Sequence, residues 1–499
     1  MSSTLEASSN KTDFERVDVK AVNSKEERSL YQARIKIFPK RVGGTFRSLK
    51  WWVMIITLGI YYITPWIRWD RGPHAPDQAV LVDMANARFY FFFIEIWPQE
   101  LIFVAGLLIM AGIGLFLITS SIGRAWCGYT CPQTVWVDLF LVVERWLEGD
   151  RNARIKLDKG PWNFDKFRKR FLKHGIWLLI ALATGGAWIF YFADAPTLAR
   201  DFFTFQAHPV AYTTVGILTA TTYVFAGFMR EQVCTYMCPW PRIQAAMLDE
   251  HSLVVTYNDW RGEPRSRHQK KNRPQDNPFG DCVDCNQCVA VCPMGIDIRD
   301  GQQLECITCA LCIDACDGVM EKIGKPRGLI SYSTLDTYNS SKQGRVEPTS
   351  WRSFIRPRTF LYFGVWSLIG LFILYGLLVR DRLDLNVLHD RNPLFVQLSD
   401  GSIRNGYTIK VLNMITEPRD FILRTEGLDG ASMTMLGSNR SASDQIPISV
   451  DANTLKKVKI FVKVNGEKIS GKSMDFRFVV EDTGKTETIS TETVFRSAN

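Results

Sequence analysis

The chain has 499 residues, twelve cysteines and a formal net charge of +9. A chain of this length has room for several domains. The positive charge does not indicate a nucleic-acid-binding protein, because the lysines and arginines flank long apolar runs, which is typical of membrane proteins. All the cysteines lie between Cys127 and Cys316, and this clustering favours metal or redox chemistry over a scattered disulfide framework.

The N-terminal region is polar and charged, with no apolar stretch close to Met1. A cleavable signal peptide is therefore not expected. Residues 1–50 are predicted to form a cytoplasmic tail, of which about the first 30 residues are disordered because they contain too few apolar side chains to form a core.

Apolar runs of the length needed to cross a bilayer, about 20 residues, occur along the chain. Five segments meet or approach this length: Trp51–Ile67, Leu101–Thr119, Gly175–Ala193, Tyr212–Met229 and Phe360–Val379. Five such runs make a soluble protein with buried helices an improbable alternative. We therefore predict five transmembrane helices.

The distribution of basic residues predicts the orientation of these spans. Lysines and arginines are concentrated before the first span and between the second and third, whereas the loop between the third and fourth contains only Arg200. Basic loops are retained on the cytoplasmic side. The N-terminus and residues 230–358 are thus predicted to be cytoplasmic, and residues 381–499 periplasmic or otherwise external.

The most specific motif is a pair of four-cysteine runs, "CVDCNQCVAVCP" and "CITCALCIDACD". Both have the spacing C-x2-C-x2-C-x3-C, which is typical of bacterial [4Fe–4S] ferredoxins, and the fourth cysteine of each run usually ligates the other cluster. Asp317 replaces the proline that is usual after the second run. Zinc knuckles and disulfides are the weaker alternatives. We assign one cluster to Cys282, Cys285, Cys288 and Cys316, and the other to Cys306, Cys309, Cys312 and Cys292.

A second cysteine motif, C-x3-C-P, occurs twice, in "WCGYTCPQTVW" and in "VCTYMCPWPR". Residues four apart on a helix share a face, so each pair could hold one soft metal ion. All four sulfurs would converge if the second and fourth spans pack together. Copper(I), zinc, an iron–sulfur cluster and unpartnered thiols remain alternatives at this point. The predicted metal-binding and catalytic residues are Cys127, Cys131, Cys234 and Cys238.

After the last span the apolar pattern changes to a period of two residues. "YTIKVLN", "KVKIFVKV" and "DFRFVVED" read as strands, and Asn405-Gly406 and Asn465-Gly466 as turns between strands. About seven short strands without cysteine predict an immunoglobulin-like sandwich that acts as a docking or spacing module.

Two acidic residues, Glu95 and Glu100, lie near the predicted outer edge of the second span. Acids within a membrane are candidates for a functional role. Simple solvation at the interface explains them equally well.

Taken together, the two C-x3-C-P motifs, the ferredoxin runs, the five spans and the strand-rich tail resemble the cytochrome c oxidase accessory protein family CcoG, also called FixG or RdxA. The resemblance implies a bacterial inner-membrane protein that reduces Cu(II) to Cu(I) during assembly of cbb3-type cytochrome oxidase. It also implies that the oxidase assembly machinery or copper chaperones are partners. The electron donor is not implied.

The predicted organisation has five parts: a tail (residues 1–50), transmembrane helices (51–229), a dicluster ferredoxin domain (230–358), a fifth transmembrane helix (359–380) and the sandwich (381–499). Two other functions compete with cupric reduction. One is electron transfer within a membrane quinol dehydrogenase complex, and the other is non-enzymatic redox sensing. The external sandwich favours the first function, because an electron carrier does not need such a domain.

Overall fold

The computed structural model describes residues 15–22, 35–266, 279–345, 356–438, 441–469, 471–484 and 487–497. The chain forms two compact units. The first consists of Met1–Ile67 and Ala79–Ile373, and the second of Arg68–Gln78 and Leu374–Asn499.

Helices dominate the first unit. Those that begin before the ferredoxin runs are α1 (Thr45–Ile63), α2 (Leu101–Ile122), α3 (Pro132–Glu148), α4 (Arg151–Lys159), α5 (Phe164–Ile189), α6 (Ala195–Phe203), α7 (Pro209–Thr222), α8 (Trp240–Met247) and α9 (Asp259–Gly262). The later ones are α10 (Gln287–Val291), α11 (Leu311–Lys322), α12 (Leu335–Lys342) and α13 (Pro357–Val379).

Four of the five predicted spans are confirmed as helices that are long and apolar enough to cross a membrane. Within the described residues these are Pro98–Ile122, Phe164–Ile189, Pro209–Met229 and Pro357–Val379. The first predicted span forms α1, which has 19 residues but does not meet the same criterion of length and composition. A fifth crossing by α1 therefore stays a prediction.

The charges at the start of α1 explain this difference. Arg47 and Lys50 lie in its first turns and are buried. The Arg47 guanidinium donates to both carboxylate oxygens of Asp138, at 2.9 and 2.8 Å, and the Lys50 ammonium lies 3.9 Å from the same carboxylate. A buried charge needs such a partner. The start of α1 is thus held by an ion-pair network on α3.

Both C-x3-C-P motifs lie in π-helical turns, Trp126–Thr130 and Val233–Met237. Each turn is closed by a hydrogen bond across five residues, from the Cys131 amide to the Trp126 carbonyl (2.9 Å) and from the Cys238 amide to the Val233 carbonyl (2.8 Å). The expectation of an α-helical spacing is therefore wrong, because the backbone widens to i→i+5 bonding before the proline at the end of each motif.

The ferredoxin region is built from α10, α11 and a two-stranded sheet of β4 (Val254–Tyr257) and β5 (Ile330–Ser333). The strands are antiparallel, with Val254 opposite Ser333 and Tyr257 opposite Ile330. Residues 15–22 of the predicted tail lie on this region, where the Val17 amide donates to the Cys285 carbonyl at 3.0 Å. The prediction of disorder is wrong for these residues, whereas 1–14 and 23–34 lie outside the described residues.

A small antiparallel sheet precedes α2 and was not expected from the sequence. Its strands are β1 (Val80–Asp83), β2 (Arg88–Phe91) and β3 (Ile94–Ile96). Glu95 lies on β3 and pairs with Arg88 at 3.4 Å, and the Glu100 carboxylate accepts a hydrogen bond from the Trp97 amide at 3.0 Å. Both acids therefore make local structural contacts at the start of α2.

The second unit contains the sandwich. Its strands are β6 (Leu383–His389), β7 (Val396–Gln397), β8 (Ile403–Asn413), β9 (Arg419–Glu426), β10 (Ser432–Met435), β11 (Gln445–Val450), β12 (Thr454–Val464), β13 (Ser473–Asp482) and β14 (Thr488–Arg496). One sheet has the order β10-β12-β8-β6, with β7 also on β8, and the other has the order β11-β9-β13-β14. All strand pairs are antiparallel. The apolar core between them includes Tyr407, Ile409, Phe421 and Phe478, each 0% exposed.

One of the two turns predicted in this unit is wrong. Asn405 and Gly406 lie inside β8, where Gly406 pairs with Phe461 of β12. A Cβ atom at Gly406 would lie 2.2 Å from a carboxylate oxygen of Asp390, so the glycine permits a close approach and does not form a turn. The other prediction is confirmed, because Asn465 comes directly after β12 and Gly466 starts a short 3₁₀ turn.

Candidate iron–sulfur and thiol site

The two ferredoxin runs have the same backbone path. The residues on either side of the second cysteine have positive φ angles in both: Asp284 (48°) and Asn286 (58°) in the first run, and Thr308 (50°) and Ala310 (59°) in the second. Left-handed residues curl a loop so that successive N–H groups face inward. Burial raises the pKa values of Cys285 and Cys306, and the backbone N–H groups of Gln287 and Thr308, which approach their sulfurs, oppose part of that rise.

The folded chain brings the predicted ligand sets together. Burial raises the pKa of Cys316, and Cys285 and Cys282 lie close enough to raise it further. Burial likewise raises the pKa of Cys292, to which Cys309 and Cys306 add, and these three cysteines line one cavity. Each fourth cysteine thus faces the other run, as the predicted crossed assignment requires, although the ligand roles themselves remain a prediction.

Without bound metal, burial disfavours the deprotonated thiolate form of these cysteines. It raises the pKa of Cys292 to about 12 and that of Cys306 to about 11. A bound iron–sulfur cluster would offset this cost, because metal ligation holds cysteine in its thiolate form. Two sets of four inward-facing thiols, with N–H groups directed at the sulfurs, therefore fit two [4Fe–4S] clusters.

Asp317 occupies the place of the usual proline without breaking the second run. Helix α11 continues through it as far as Lys322, and the Asp317 carboxylate accepts a hydrogen bond from the Gly328 amide at 2.9 Å. In the first run, by contrast, α10 ends at Val291, just before Cys292 and Pro293. The two runs thus share the loop geometry but differ in whether a helix continues past the fourth cysteine.

The four thiols of the C-x3-C-P motifs lie near one another, although among the described residues no group of three or more cysteine, histidine, aspartate or glutamate side chains has the spacing to hold a single metal ion. Burial raises the pKa of Cys127 to about 12, with smaller contributions from Cys131 and Cys238. Burial likewise raises the pKa of Cys234 to about 12, and the charges of Cys131, Cys127 and Cys238 raise it further. We call this group the four-thiol site.

Two polar side chains that the sequence analysis did not single out contact or face the four-thiol site. The Cys127 thiol donates to the side-chain oxygen of Gln244 at 3.0 Å, and the Gln244 amide donates to the Thr119 hydroxyl at 3.1 Å. Arg124 is buried, and burial lowers its pKa against the opposing effects of Cys127, Cys306, Glu305 and Cys234. The Arg124 cation therefore lies near both the four-thiol site and the second ferredoxin run.

The four-thiol site packs directly against the second ferredoxin run. A Cβ atom at Gly128 would lie 2.7 Å from the Ile307 carbonyl and 3.1 Å from the Cys309 Cα atom. The Tyr129 hydroxyl donates to the Cys309 carbonyl at 3.2 Å. Cys127, Cys234, Cys292, Cys306 and Cys309 accordingly belong to one apolar cluster. Only a glycine allows so close an approach after Cys127.

Comparison with known proteins identifies the relatives of this arrangement. The chain is 62% identical over 491 residues to the nitrogen fixation protein FixG of Rhizobium meliloti, with 94% of each chain covered. It is 55% identical to protein RdxB of Cereibacter sphaeroides over 94% of this chain and 97% of the relative. Protein RdxA of the same organism is 53% identical over 91% and 95%. The chain belongs to the FixG family.

Three family models match different parts of this FixG-family protein. A 4Fe-4S dicluster domain matches residues 229–335, a 4Fe-4S binding domain matches 103–150, and an Ig-like fold at the C-terminus of FixG matches 373–498. These matches confirm the iron–sulfur character of the first unit and the immunoglobulin-like fold of the second. The protein is a FixG-type iron–sulfur redox protein with several helices apolar enough to cross a membrane.

Gly128, Arg124 and Gln244 were the residues missed by sequence reasoning. Gly128 and Arg124 flank Cys127 in "RAWCGYTC", so their positions beside the motif could have drawn attention to them. Gln244 lies six residues after Cys238, on α8, and no spacing rule connects it to Cys127. Only the packing of α8 against α2 shows that contact.

Proposed function

We propose that this FixG-family protein reduces Cu(II) to Cu(I) during assembly of a cbb3-type cytochrome c oxidase. The observation that supports the proposal most is the contact at Gly128, where the four-thiol site meets the second ferredoxin run. Bound iron–sulfur clusters supply single electrons. Reduction of Cu(II) needs one electron, and thiolate ligands favour Cu(I).

In this proposal the three sets of cysteines have different roles. Cys282, Cys285, Cys288 and Cys316 hold one cluster, and Cys306, Cys309, Cys312 and Cys292 hold the other. Cys127, Cys131, Cys234 and Cys238 receive copper as substrate. The buried Arg124 cation stabilises negative charge on thiolates at either side of it.

The proposal includes an inner-membrane location with a cytoplasmic N-terminus and a periplasmic sandwich, supported by the apolar helices and the positions of the basic loops. Reporter fusions after Arg200 and after Arg382 should be external, and a fusion near Asn272 should be cytoplasmic. A cytoplasmic reporter after Arg382 would contradict this orientation. The proposed partners are the oxidase assembly machinery or copper chaperones.

The decisive experiment tests the four-thiol site separately from the ferredoxin runs. The Cys131→Ser/Cys238→Ser variant should lose Cu(II) reduction, because serine keeps the size of the side chain but removes the soft sulfur donor. Dithionite-reduced protein would receive Cu(II), and a Cu(I)-specific chelator would detect the product. Cluster absorbance should remain.

A matched control lies in the same π-helical turn. Tyr236→Phe changes a half-exposed side chain between Cys234 and Cys238 without removing sulfur, and should reduce copper at the normal rate. If the double-serine variant also reduces copper at that rate with intact clusters, the four thiols are not the site of reduction.

A third iron–sulfur cluster is a second candidate occupant of the four-thiol site. It is favoured by the match of residues 103–150 to a 4Fe-4S binding domain, because Cys127 and Cys131 are the only cysteines in that range. Two [4Fe–4S] clusters require about eight iron atoms per chain, and three require about twelve. Iron and acid-labile sulfide analysis of anaerobically purified protein distinguishes the two candidates.

The competing functions give different results in the same preparation. An electron-transfer subunit of a quinol dehydrogenase complex would be reduced by quinol and would not depend on Cu(II). A redox sensor would change partner binding with cluster oxidation and would show no turnover. Catalytic, thiol-dependent formation of Cu(I) would exclude both as the main function.

A further inference from the structure

A basic cavity of about 430 Å³ lies in the first unit, away from the cysteines. Helices α4 and α5, the end of the fourth apolar helix near Phe228 and the segment before α1 contribute to its wall. Two carboxylates, Glu144 and Asp158, line it together with six cations, which are Lys36, Arg154, Lys166, Arg170, Lys173 and Arg230.

The two lining carboxylates are already paired with cations. Glu144 pairs with Arg230 at 2.6 Å and with Lys173 at 3.6 Å, and also with Arg154. Asp158 pairs with Arg170 at 2.7 Å and with Lys36 at 3.1 Å. Since six cations share these acids, the wall keeps an excess of positive charge even after Glu148, which pairs with Lys173 and Arg170, is included.

One of the lining cations also has unused hydrogen-bonding capacity. Arg154 is 1% exposed, and its Nε and Nη1 atoms have no hydrogen-bond partner in the described part of the chain. A buried guanidinium with unused donors is costly unless an acceptor satisfies it. The Glu144 carboxylate already engages its Nη2 atom, and a water molecule or a bound anion can supply the remaining acceptors after a small side-chain movement.

The surroundings of the cavity are apolar and face outward. Exposed aromatic side chains occupy the start of α5, with Phe164 79% exposed, Phe167 57% and Phe171 68%. Trp162, 73% exposed, lines the cavity itself and lies beneath the Lys166 ammonium, which is 5.1 Å from the centre of its ring. Aromatic side chains beside basic ones are typical of the interface between membrane and water.

We propose that this cavity binds the phosphodiester headgroup of an anionic phospholipid such as phosphatidylglycerol or cardiolipin. The excess cations match the phosphate, and the exposed aromatic side chains match the start of the acyl chains. Basic pockets between transmembrane helices on the cytoplasmic side bind such headgroups. The residues that line the cavity belong to segments predicted to be cytoplasmic or to the cytoplasmic ends of the third and fourth predicted spans.

The test uses the full-length protein in a neutral detergent, with dihexanoyl phosphatidylglycerol, dihexanoyl phosphatidylcholine and inorganic phosphate as separate probes. Lys166→Gln/Arg170→Gln should weaken phosphatidylglycerol binding at least about tenfold, measured by titration and by lipid retention in native mass spectrometry. Arg168→Gln/Lys169→Gln is the matched control, because it removes the same charge from the same helix at residues that pair with Asp165 and do not line the cavity.

Equal weakening by both double variants would show non-specific surface attraction and overturn the proposal. Phosphate binding as tight as that of phosphatidylglycerol would assign the cavity to a soluble anion and overturn the lipid source. If Lys166→Gln/Arg170→Gln does not fold, Lys36→Gln provides the test. The Lys36 side chain is 62% exposed, so its loss should leave folding intact and weaken binding several-fold. Unchanged binding in Lys36→Gln would then contradict the proposal.

Discussion

The cores of the ferredoxin region and of the sandwich differ in residue composition. In the ferredoxin region, buried Cys282 and Cys288 belong to the core itself, and Cys285, Cys306, Cys312 and Cys316 pack against it. The core of the sandwich contains no cysteine and is formed by aliphatic and aromatic side chains from both sheets. Because six cysteines lie in or against the core of the ferredoxin region, we expect its stability to depend on bound metal as well as on apolar burial, whereas the sandwich depends on apolar burial alone.

This difference implies that the two regions respond to different perturbations. Loss of iron should affect the first and spare the second, and loss of an apolar side chain in the sandwich should do the reverse. Three predictions test this contrast, in order of decreasing effect.

Removal of iron should have the largest effect. After anaerobic chelation, α10 and α11 should lose most of their protection from hydrogen exchange, because buried thiols without metal do not hold the two loops together. Strands β8, β12 and β13 should keep their protection in the same full-length sample. Persistent protection of α10 and α11 without iron would mean that apolar packing alone holds the ferredoxin region, and the contrast would fail.

Phe478→Ala should destabilise the sandwich by about 3–5 kcal/mol, because Phe478 is 0% exposed and its removal leaves a cavity. Denaturant unfolding monitored by hydrogen exchange in β13 would measure the change. Leu455→Ala, at a side chain 50% exposed on β12, is the control and should change stability by less than about 0.5 kcal/mol. Iron content should remain unchanged in both variants, and loss of iron in Phe478→Ala would contradict independent cores.

Arg124→Gln should have the smallest effect and should leave the structure of both regions in place. A cation near Cys306 and Cys127 favours the more negative, reduced state of a bound centre, so its removal should lower the reduction potential. The expected shift is on the order of tens of millivolts, measured by a spectroscopic redox titration.

Arg124→Lys is the matched control, because it keeps the charge and should retain most of the original potential. A shift of the same size in Arg124→Lys would attribute the effect to the lost contact with the Leu304 carbonyl and not to charge.

Much of the fold could be predicted because local patterns dominate there. The alternating residues of Tyr407–Asn413 and Asp475–Asp482 lie in strands, as expected from their period of two. Four long apolar runs form the expected helices. The first apolar run was harder to assign from sequence. The charges of Arg47 and Lys50 at its start are paired with Asp138, which is 91 residues away from Arg47 in the chain.

Asn405-Gly406 shows the limit of a local rule. The dipeptide is a strong turn signal, but here β6, β8 and β12 pair over their lengths and the glycine makes room for Asp390. Pairing between distant strands outweighed the local preference. The C-x3-C-P motifs also depart from the local expectation, because each lies in a π-helical turn and not in an α-helix.

The sequence by itself determined the iron–sulfur chemistry, because the spacing of cysteines within a run of twelve residues controls which sulfurs can reach one cluster. It also determined the apolar helices and the strands of the sandwich. Tertiary structure alone decided that two thiol pairs more than a hundred residues apart in the chain lie near each other, that Gly128 meets Ile307 and Cys309, and that six cations line one cavity. The physical reason is that these contacts join distant segments, whose meeting depends on the packing of whole helices and not on any local pattern.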